Sequence, residues 1–362
     1  FFRGQPTAHQ LRRLHRGRPL MDFRGPPSLE SHLTELYAIL VEALELHGKG
    51  ERPFYCQWVC GSLTADQGTG LKRLRSALRA ALLEQTDTGV QLQLLFMVVS
   101  CLQELVALCI KLHARDRQGL LLILTAVLED VIPGLVRCTG LAVDDPRVGP
   151  CFGAVREVLG AILRWLLPAQ RDSPLSSPRA PGDAQNTSSG WTVVRQGVCT
   201  QLHQETVSQS LLALLSLLEA EVDELTEDVV PVCVLLYSLD EDPLLLDMIL
   251  EHTRANQFAE TFVTVFNRGA KLQPVDGLWF LNALFSRETL EGFFYPRDTV
   301  VLSEVLMRNI QDFDLALGPK MLARFKRLLQ LVVDSNLYAE GVGSSRRPDI
   351  QVYLDRSFDE NL

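Results

Sequence analysis

The stretch SLESHLTELYAILVEALELH, residues 28–47, decides the fold class of this chain. Its apolar side chains recur at intervals of i, i+3, i+4, i+7, i+8 and i+11 and are Leu33, Leu36, Tyr37, Leu40, Val41 and Leu44. This spacing predicts one buried face of an α-helix and one polar face. Ser28 and Ser31 follow two prolines and are the residues predicted to cap the helix at its N-terminus. Such a helix buries a single stripe, so it needs other helices to pack against.

The same helical period recurs on the C-terminal side of this stretch. Short polar turns separate further predicted helices, at about 71–85, 89–113, 117–139, 148–168, 193–220, 222–239, 243–255, 257–268, 275–287, 297–313 and 319–335. Asp242 before Pro243 predicts one helix start, because an acidic N-cap followed by proline at the first helical position favours it. Residues 51–70 are predicted to form a loop or a short turn.

Composition supports a helical protein. Leucine accounts for 65 of the 362 residues, and no long stretch is dominated by β-branched or aromatic residues. We therefore predict an all-α fold. Groups of helices recur about every 40 residues without a strict repeat, which is the length class of armadillo and HEAT units. The predicted architecture is an armadillo/HEAT-like helical solenoid, because single units of this kind cannot bury their own apolar faces.

The chain divides into five predicted segments. Residues 1–27 contain six arginines and one aspartate and are expected to be a disordered lead. Residues 28–168 form the N-terminal helical part, and the Ser/Pro-rich residues 169–190 are expected to be a flexible loop. Residues 191–336 form the C-terminal helical part, and residues 337–362 form a C-terminal segment.

Charge and hydropathy limit the kinds of partner. The net charge of −9 argues against binding to nucleic acid by the whole chain. No membrane span is predicted, because residues 89–110 include three glutamines and a glutamate and residues 119–128 are too short. Both stretches are expected to be buried core helices. The eight cysteines lie mostly in apolar runs and are predicted to be reduced, buried thiols in a cytoplasmic protein.

Residues between Arg195 and Arg254 include twelve acids and no lysine or arginine. One interpretation is an acidic patch for a basic partner, and the other is a solvated helix face. The sequence leaves both open.

No motif indicates catalysis. Phosphate-binding glycine loops, HExxH and GxSxG are absent from the sequence. His47, Cys56 and Cys60 lack the second pair of ligands that a structural zinc site needs. The acids 240–242 are explained by helix capping. We therefore expect no enzymatic activity, no catalytic residues, no metal and no cofactor.

Basic residues return after position 254 and indicate a possible protein interface. Arginine pairs with carboxylates through two parallel hydrogen bonds, which suits such a surface. The candidate partner-binding residues are Arg268, Arg297, Arg308, Lys320, Arg324 and Arg327. The alternative is solubilising charge, since acids interleave with them. Arg308 and Asp312 lie four residues apart and are a candidate ion pair within one helix.

The C-terminal half also carries an ordered series of motifs. They are Asn256–Glu260, Val265–Gly269, Trp279–Phe285, Gly292–Asp298, 300–314 and Met321–Leu329. Together they resemble the leucine-rich, armadillo-like domain of the WISH/DIP family, whose members activate the actin-related protein 2/3 complex. The features that fit the family pattern are Asn267-Arg268-Gly269, Phe294-Tyr295 with Asp298, Val301-Leu302, Arg308 and Gln311-Asp312-Phe313.

The sequence departs from that pattern at Pro296-Arg297, at Ser303-Glu304 and in the short segment between Gly269 and Trp279. The resemblance implies a non-catalytic solenoid that binds the actin-related protein 2/3 complex and, indirectly, actin. It implies nucleation of linear filaments without a mother filament, at the cortical actin cytoskeleton of the cytoplasm. Phe285, Phe293 and Phe294 are expected to be core residues. The alternative function is a generic armadillo/HEAT-type adaptor that binds a peptide or protein in trafficking or signalling.

Overall fold

Every regular element in the described part of the chain is helical, which confirms the all-α prediction. The computed structural model describes residues 28–50, 53–112, 117–166, 204–220, 222–240, 242–287, 292–312, 319–341 and 347–355. The predicted disordered lead at 1–27 and flexible loop at 169–190 lie outside these residues. So does the predicted helix start at 193, since the described helix there begins at Gln204.

The first compact unit contains seven of the described α-helices. They are α1 (Leu29–Gly48), α2 (Pro53–Glu84), α3 (Thr88–Lys111), α4 (Arg117–Ala126), α5 (Ile132–Leu141), α6 (Val148–Leu166) and α7 (Gln204–Ser216). Helix α3 lies at the centre and packs against α1, α5 and α6, while α2 packs against α1 and α4. The apolar stripe predicted from residues 28–47 faces this core, with Leu33 and Leu40 fully buried.

The second compact unit contains eight described α-helices. They are α8 (Asp223–Asp240), α9 (Pro243–Leu250), α10 (Ala255–Arg268), α11 (Pro274–Phe285), α12 (Pro296–Gln311), α13 (Pro319–Asp334), α14 (Asn336–Gly341) and α15 (Arg347–Asp355). Helices α8, α10, α12 and α14 pack in one row, and α11, α13 and α15 in a second. Stacking of alternate helices in this way is the packing predicted for a helical solenoid.

Two predicted helix starts are confirmed by their hydrogen bonds. The hydroxyl of Ser28 accepts a bond from the backbone N–H of Ser31 at 3.3 Å. The carboxylate of Asp242 accepts one from the N–H of Leu244 at 2.9 Å, with Pro243 at the first helical position. Each side chain satisfies a backbone donor that has no partner inside its helix.

The predicted loop at 51–70 is wrong, because these residues belong largely to helix α2. Cys56, Val59, Cys60 and Leu63 continue the helical apolar stripe and are buried, which the glycines nearby obscured. The helix is sharply bent there. In a straight helix, positions 62 and 70 would be about 12 Å apart along the axis. A Cβ atom added to Gly70 would instead lie only 2.7 Å from the carbonyl oxygen of Ser62, so the chain bends between these two residues.

The single helix predicted over 117–139 is interrupted by a π-helical turn at Val127–Val131. The N–H of Ile132 bonds to the carbonyl of Val127, five residues back. Pro133 follows and has no N–H to donate, so a regular ladder cannot pass through this point. The turn directs Glu129 and Asp130 to Arg75 and Arg79 on α2.

Two helices are long and apolar enough to cross a membrane, Thr88–Lys111 and Gly119–Leu141. Of the most apolar 18-residue stretch in each helix, 56% and 67%, respectively, is buried inside the protein. Core helices have the same composition, and α3 is the central helix of its unit. The prediction of free cysteines is confirmed for the seven described ones, all of which are buried.

Candidate partner-binding surface

Helix α10 ends in the motif Asn267-Arg268-Gly269, which exposes two polar side chains. Gly269 adopts a φ of 66°, the left-handed conformation that ends helices and that glycine takes without steric cost. Because the chain turns away there, Asn267 and Arg268 remain at the surface. Arg268 Nη1 bonds to Glu227 Oε1 of α8 at 2.7 Å, and its side chain remains 61% exposed.

Lys271 reinforces this contact with α8. Its ammonium group lies 2.7 Å from Asp228 Oδ1 and 3.6 Å from Glu227 Oε2. Two cations therefore contact two acids near the start of α8. The two acids belong to the stretch between Arg195 and Arg254 that contains no lysine or arginine, and the two cations come from beyond it. The acidic patch is thus partly neutralised by residues from beyond position 254.

Arg308 of α12 also reaches the end of α10. Its Nη2 donates to the backbone oxygen of Asn267 at 2.9 Å and to the side-chain oxygen of Asn267 at 3.1 Å. Carbonyls in the last turn of a helix lack intrahelical donors, and a guanidinium supplies one. The proposed pairing of Arg308 with Asp312 is therefore replaced by a bond between neighbouring helices.

Arg297 lies at the start of α12, beside an exposed tyrosine. Its Nη2 is 3.2 Å from Glu260 Oε1 on α10, and its guanidinium carbon lies 5.5 Å from the centre of the Tyr295 ring. The backbone of Tyr295 is fixed by a hydrogen bond, because its N–H donates to Asp298 Oδ2 at 2.9 Å. Burial raises the pKa of the Asp298 carboxyl, and this hydrogen bond opposes the rise.

Arg297 and Arg308 lie on one face of α12. Eleven residues make about three helical turns, so the two side chains are separated by about 16 Å along the same side. Arg268 adjoins Asn267, the partner of Arg308. We call this surface the α10–α12 face, and its members are Glu260, Asn267, Arg268, Tyr295, Arg297 and Arg308.

The ion pairs of the α10–α12 face contribute little to stability. Exposed pairs of this kind are worth between about 0 and 1 kcal/mol. Arg268 and Arg297 are 61% and 70% exposed, so a partner's carboxylates can displace the present ones at low cost. The arrangement suits recognition by charge, which governs the rate and specificity of association.

The other predicted binding residues form a separate group on α13. The guanidinium of Arg324 stacks 4.2 Å above the ring of Trp279 on α11, and Arg327 is exposed. Lys320 lies in the first turn of the helix, and its side chain is outside the described residues. Since α13 belongs to the second row of helices and Arg324 packs on α11, we treat these residues as a second candidate surface.

The aromatic residues beneath these surfaces form a packed cluster. Phe280 is fully buried and lies 5.2 Å from Phe262 and 5.6 Å from Tyr237 between ring centres. Phe285 stacks on Phe294 at 5.7 Å, and Phe293 is also buried. The predicted core role of the three motif phenylalanines is confirmed. The motif therefore combines a buried half that sets the packing and an exposed half at Tyr295 and Arg297.

Sequence reasoning missed the partners of the predicted arginines. Glu227, Glu260 and Trp279 lie between 37 and 45 residues away from the cations that they contact. No pattern of local spacing connects positions so far apart. Tyr295 did carry a signal, because it lies in the motif that resembles the family pattern.

The polar side chains of the described residues were also compared with the requirements of a metal centre. Among the described residues, no group of three or more histidine, cysteine, aspartate and glutamate side chains is arranged to hold a metal ion.

A polar cleft of about 430 Å³ lies between the end of α9 and the start of α10. Arg287 crosses its wall, where it pairs with Asp247 and donates to the carbonyl of Pro243 at 3.1 Å.

Comparison with known protein families gives a match in the C-terminal part of the chain. Residues 203–343 match the family described as SPIN90/Ldb17, leucine-rich domain. The match spans the α10–α12 face and both groups of candidate arginines. No curated protein and no solved structure matches the chain.

Proposed function

We propose that this protein binds and activates the actin-related protein 2/3 complex, because its residues 203–343 match the leucine-rich domain of the WISH/DIP/SPIN90 family. Activation would nucleate linear actin filaments without a mother filament. The family match is the observation that carries the proposal. The residues behind the earlier resemblance, from Asn256 to Leu329, all lie inside it.

The mechanism that we propose is binding without catalysis. A helical domain activates such a complex by binding one of its arrangements more tightly than the others, and the difference in affinity sets the shift. The α10–α12 face offers three arginines and an exposed tyrosine on a row of packed helices. Tyrosine and arginine are the residue types enriched at energetic centres of protein interfaces. We therefore propose that this face meets an acidic surface of the complex.

The cellular setting follows from the same proposal. The protein would act in the cytoplasm at the cortical actin cytoskeleton, with no cofactor, no nucleic-acid partner and no catalytic step. Its direct partner would be the actin-related protein 2/3 complex, and actin would be an indirect one. The filaments it starts would be unbranched and would seed later branching.

The test is a fluorescent actin polymerisation assay with purified actin-related protein 2/3 complex, without preformed filaments or another nucleation-promoting factor. We expect the full chain to shorten the lag only when the complex is present. Single-filament imaging should show linear products. No effect on the lag, together with no binding in a pull-down, would overturn the proposal and leave a generic armadillo/HEAT-type adaptor.

Charge reversals separate the two candidate surfaces. Arg297→Glu and Arg268→Glu change exposed residues of the α10–α12 face, whereas Arg327→Glu changes the exposed surface of α13. Lys72→Glu is the matched control, because it reverses an exposed charge on α2, outside residues 203–343. We expect the α10–α12 variants to weaken binding about tenfold, because each charge reversal removes an attraction to the proposed acidic surface and adds a repulsion. Loss of binding in Arg327→Glu alone would move the interface to α13.

A further inference from the structure

Two buried cysteines of the first unit lie in sulfur–sulfur contact. Cys60 on α2 and Cys109 on α3 place their Sγ atoms 3.4 Å apart. They are 7% and 2% exposed, and 49 positions separate them in the chain. A disulfide bond has a sulfur–sulfur distance of about 2.05 Å, so closure needs the sulfurs to approach by about 1.3 Å.

The other cysteines of this unit are engaged differently. Cys56 donates to the carbonyl of Ala43 at 3.2 Å, although it lies one helical turn before Cys60 on the same helix. Cys101 and Cys151 donate to backbone carbonyls at 3.5 Å. Cys138 donates to the Gln91 side-chain oxygen at 3.2 Å. In each of these contacts the sulfur faces an oxygen atom and not a second sulfur.

We propose that Cys60 and Cys109 are a modification site that closes to a disulfide when the protein meets hydrogen peroxide. This inference concerns residues outside 203–343 and does not depend on the proposed function. Hydrogen peroxide is the oxidant that suits the site, because it is small and uncharged and can reach nearly buried sulfur. A larger disulfide such as oxidised glutathione suits the site less well, because both residues are buried.

The reaction balances as two thiols and one peroxide giving one disulfide and two waters. The first sulfur attacks a peroxide oxygen, so that an S–O bond forms, the O–O bond breaks and one oxygen leaves as water. The second sulfur then attacks the sulfenic sulfur, an S–S bond forms and the S–O bond breaks, with the second oxygen leaving as water. The two thiol protons end in the waters, the sulfurs are oxidised and the peroxide is reduced.

The bond would fasten α2 to α3 within the core of the first unit. Helix α3 is the centre of the first unit, and α2 is sharply bent beyond Cys60. A cross-link over a loop of about 50 residues restricts the unfolded chain and stabilises the fold. We expect the melting temperature of the oxidised protein to rise by roughly 10 °C and to return after reduction with dithiothreitol.

The experiment treats the reduced full chain with hydrogen peroxide, blocks the remaining thiols with iodoacetamide and maps the products by mass spectrometry without reduction. We expect a linked pair of peptides containing Cys60 and Cys109, formed while circular dichroism shows an intact fold. Cys56→Ser is the matched control and should keep the link. Cys109→Ala should lose it and should also lose the rise in melting temperature.

Several outcomes would overturn the proposal. One such outcome is that both cysteines stay reduced at a peroxide dose that oxidises a surface thiol. Both would then react fully with iodoacetamide once the treated protein is unfolded. Cys60 could instead link to Cys56, or stop at a sulfinic acid. A linked pair that forms only above the melting temperature would equally show that the folded protein does not use the site. All of these results are measured on the wild-type chain, so they do not depend on whether a variant folds.

Discussion

Replacing Asp130 with asparagine should destabilise the first unit, because this carboxylate is a buried charge shared by two arginines. Its side chain is 1% exposed and lies on the π-helical turn. Arg75 Nε donates to one carboxylate oxygen and Arg79 Nε to the other. Asparagine keeps the shape, removes the charge and offers only one oxygen acceptor.

The size of the effect follows from the exposure of the two arginines. Breaking a fully buried ion pair costs about 3 to 5 kcal/mol, and an exposed pair contributes under about 1 kcal/mol. The Arg75 side chain is 17% exposed and keeps Glu129 as a second partner, while Arg79 is 55% exposed. We therefore expect Asp130→Asn to cost about 2–3 kcal/mol, Arg75→Ala about 2 kcal/mol and Arg79→Ala under about 1 kcal/mol.

Urea unfolding followed by circular dichroism measures these costs, and a double-mutant cycle isolates the pairwise energies. The coupling of Asp130 with Arg75 should exceed its coupling with Arg79. Arg327→Ala, an exposed arginine of the other unit, serves as the control and should change stability by under about 0.5 kcal/mol. The reasoning fails if the two arginine variants cost the same, or if Asp130→Asn costs less than Arg79→Ala.

Three further changes probe other parts of the fold. Phe280→Ala should lower the free energy of unfolding by about 3–5 kcal/mol in the same urea assay, because the ring is fully buried among other aromatic rings. Gly277→Ala should cost about 1–3 kcal/mol, since the new Cβ would lie 2.7 Å from a phenylalanine ring, whereas Gly140→Ala meets nothing within 4 Å and should gain up to about 1 kcal/mol. The Asp145 carboxyl should titrate with a pKa of about 2 by NMR, because Arg147 donates to it, and Arg147→Gln should raise that pKa towards its ordinary value. The pKa of Asp145 is lower in the folded protein than in the unfolded chain, so the ion pair stabilises the fold above pH 3.8. This stabilisation is lost as the pH falls towards 2. A stabilisation that is lost as the pH rises would contradict the assignment.

Helix positions were largely predictable because their signal is local. The starts at Ser28 and Asp242 depend on side chains that bond to a backbone donor two or three residues away, so the sequence contains both partners. The bend in α2 was not predictable in the same way. Gly61 and Gly70 are typical of a loop, and only the burial of Cys60 and Leu63 against other helices keeps this segment helical.

The candidate surface shows the same division. The arginines and the FFYPRD turn were visible as residue types in a pattern, and they lie inside the match to residues 203–343. Their division into the α10–α12 face and the α13 group depends on which helices share a row. That arrangement places Glu260 beside Arg297 and Trp279 beneath Arg324, and neither contact follows from sequence spacing.

The sequence by itself determined that the chain is all-α, where most helices begin and end, and which side of each helix is buried. These properties follow from backbone hydrogen bonds and the 3.6-residue period, which act over a few neighbouring positions. Only the tertiary structure decided that Asp130 faces two arginines of α2, that Cys60 meets Cys109, and that Arg308 caps α10. Those contacts join positions 41 to 55 residues apart, and the packing of whole helices is what brings them together.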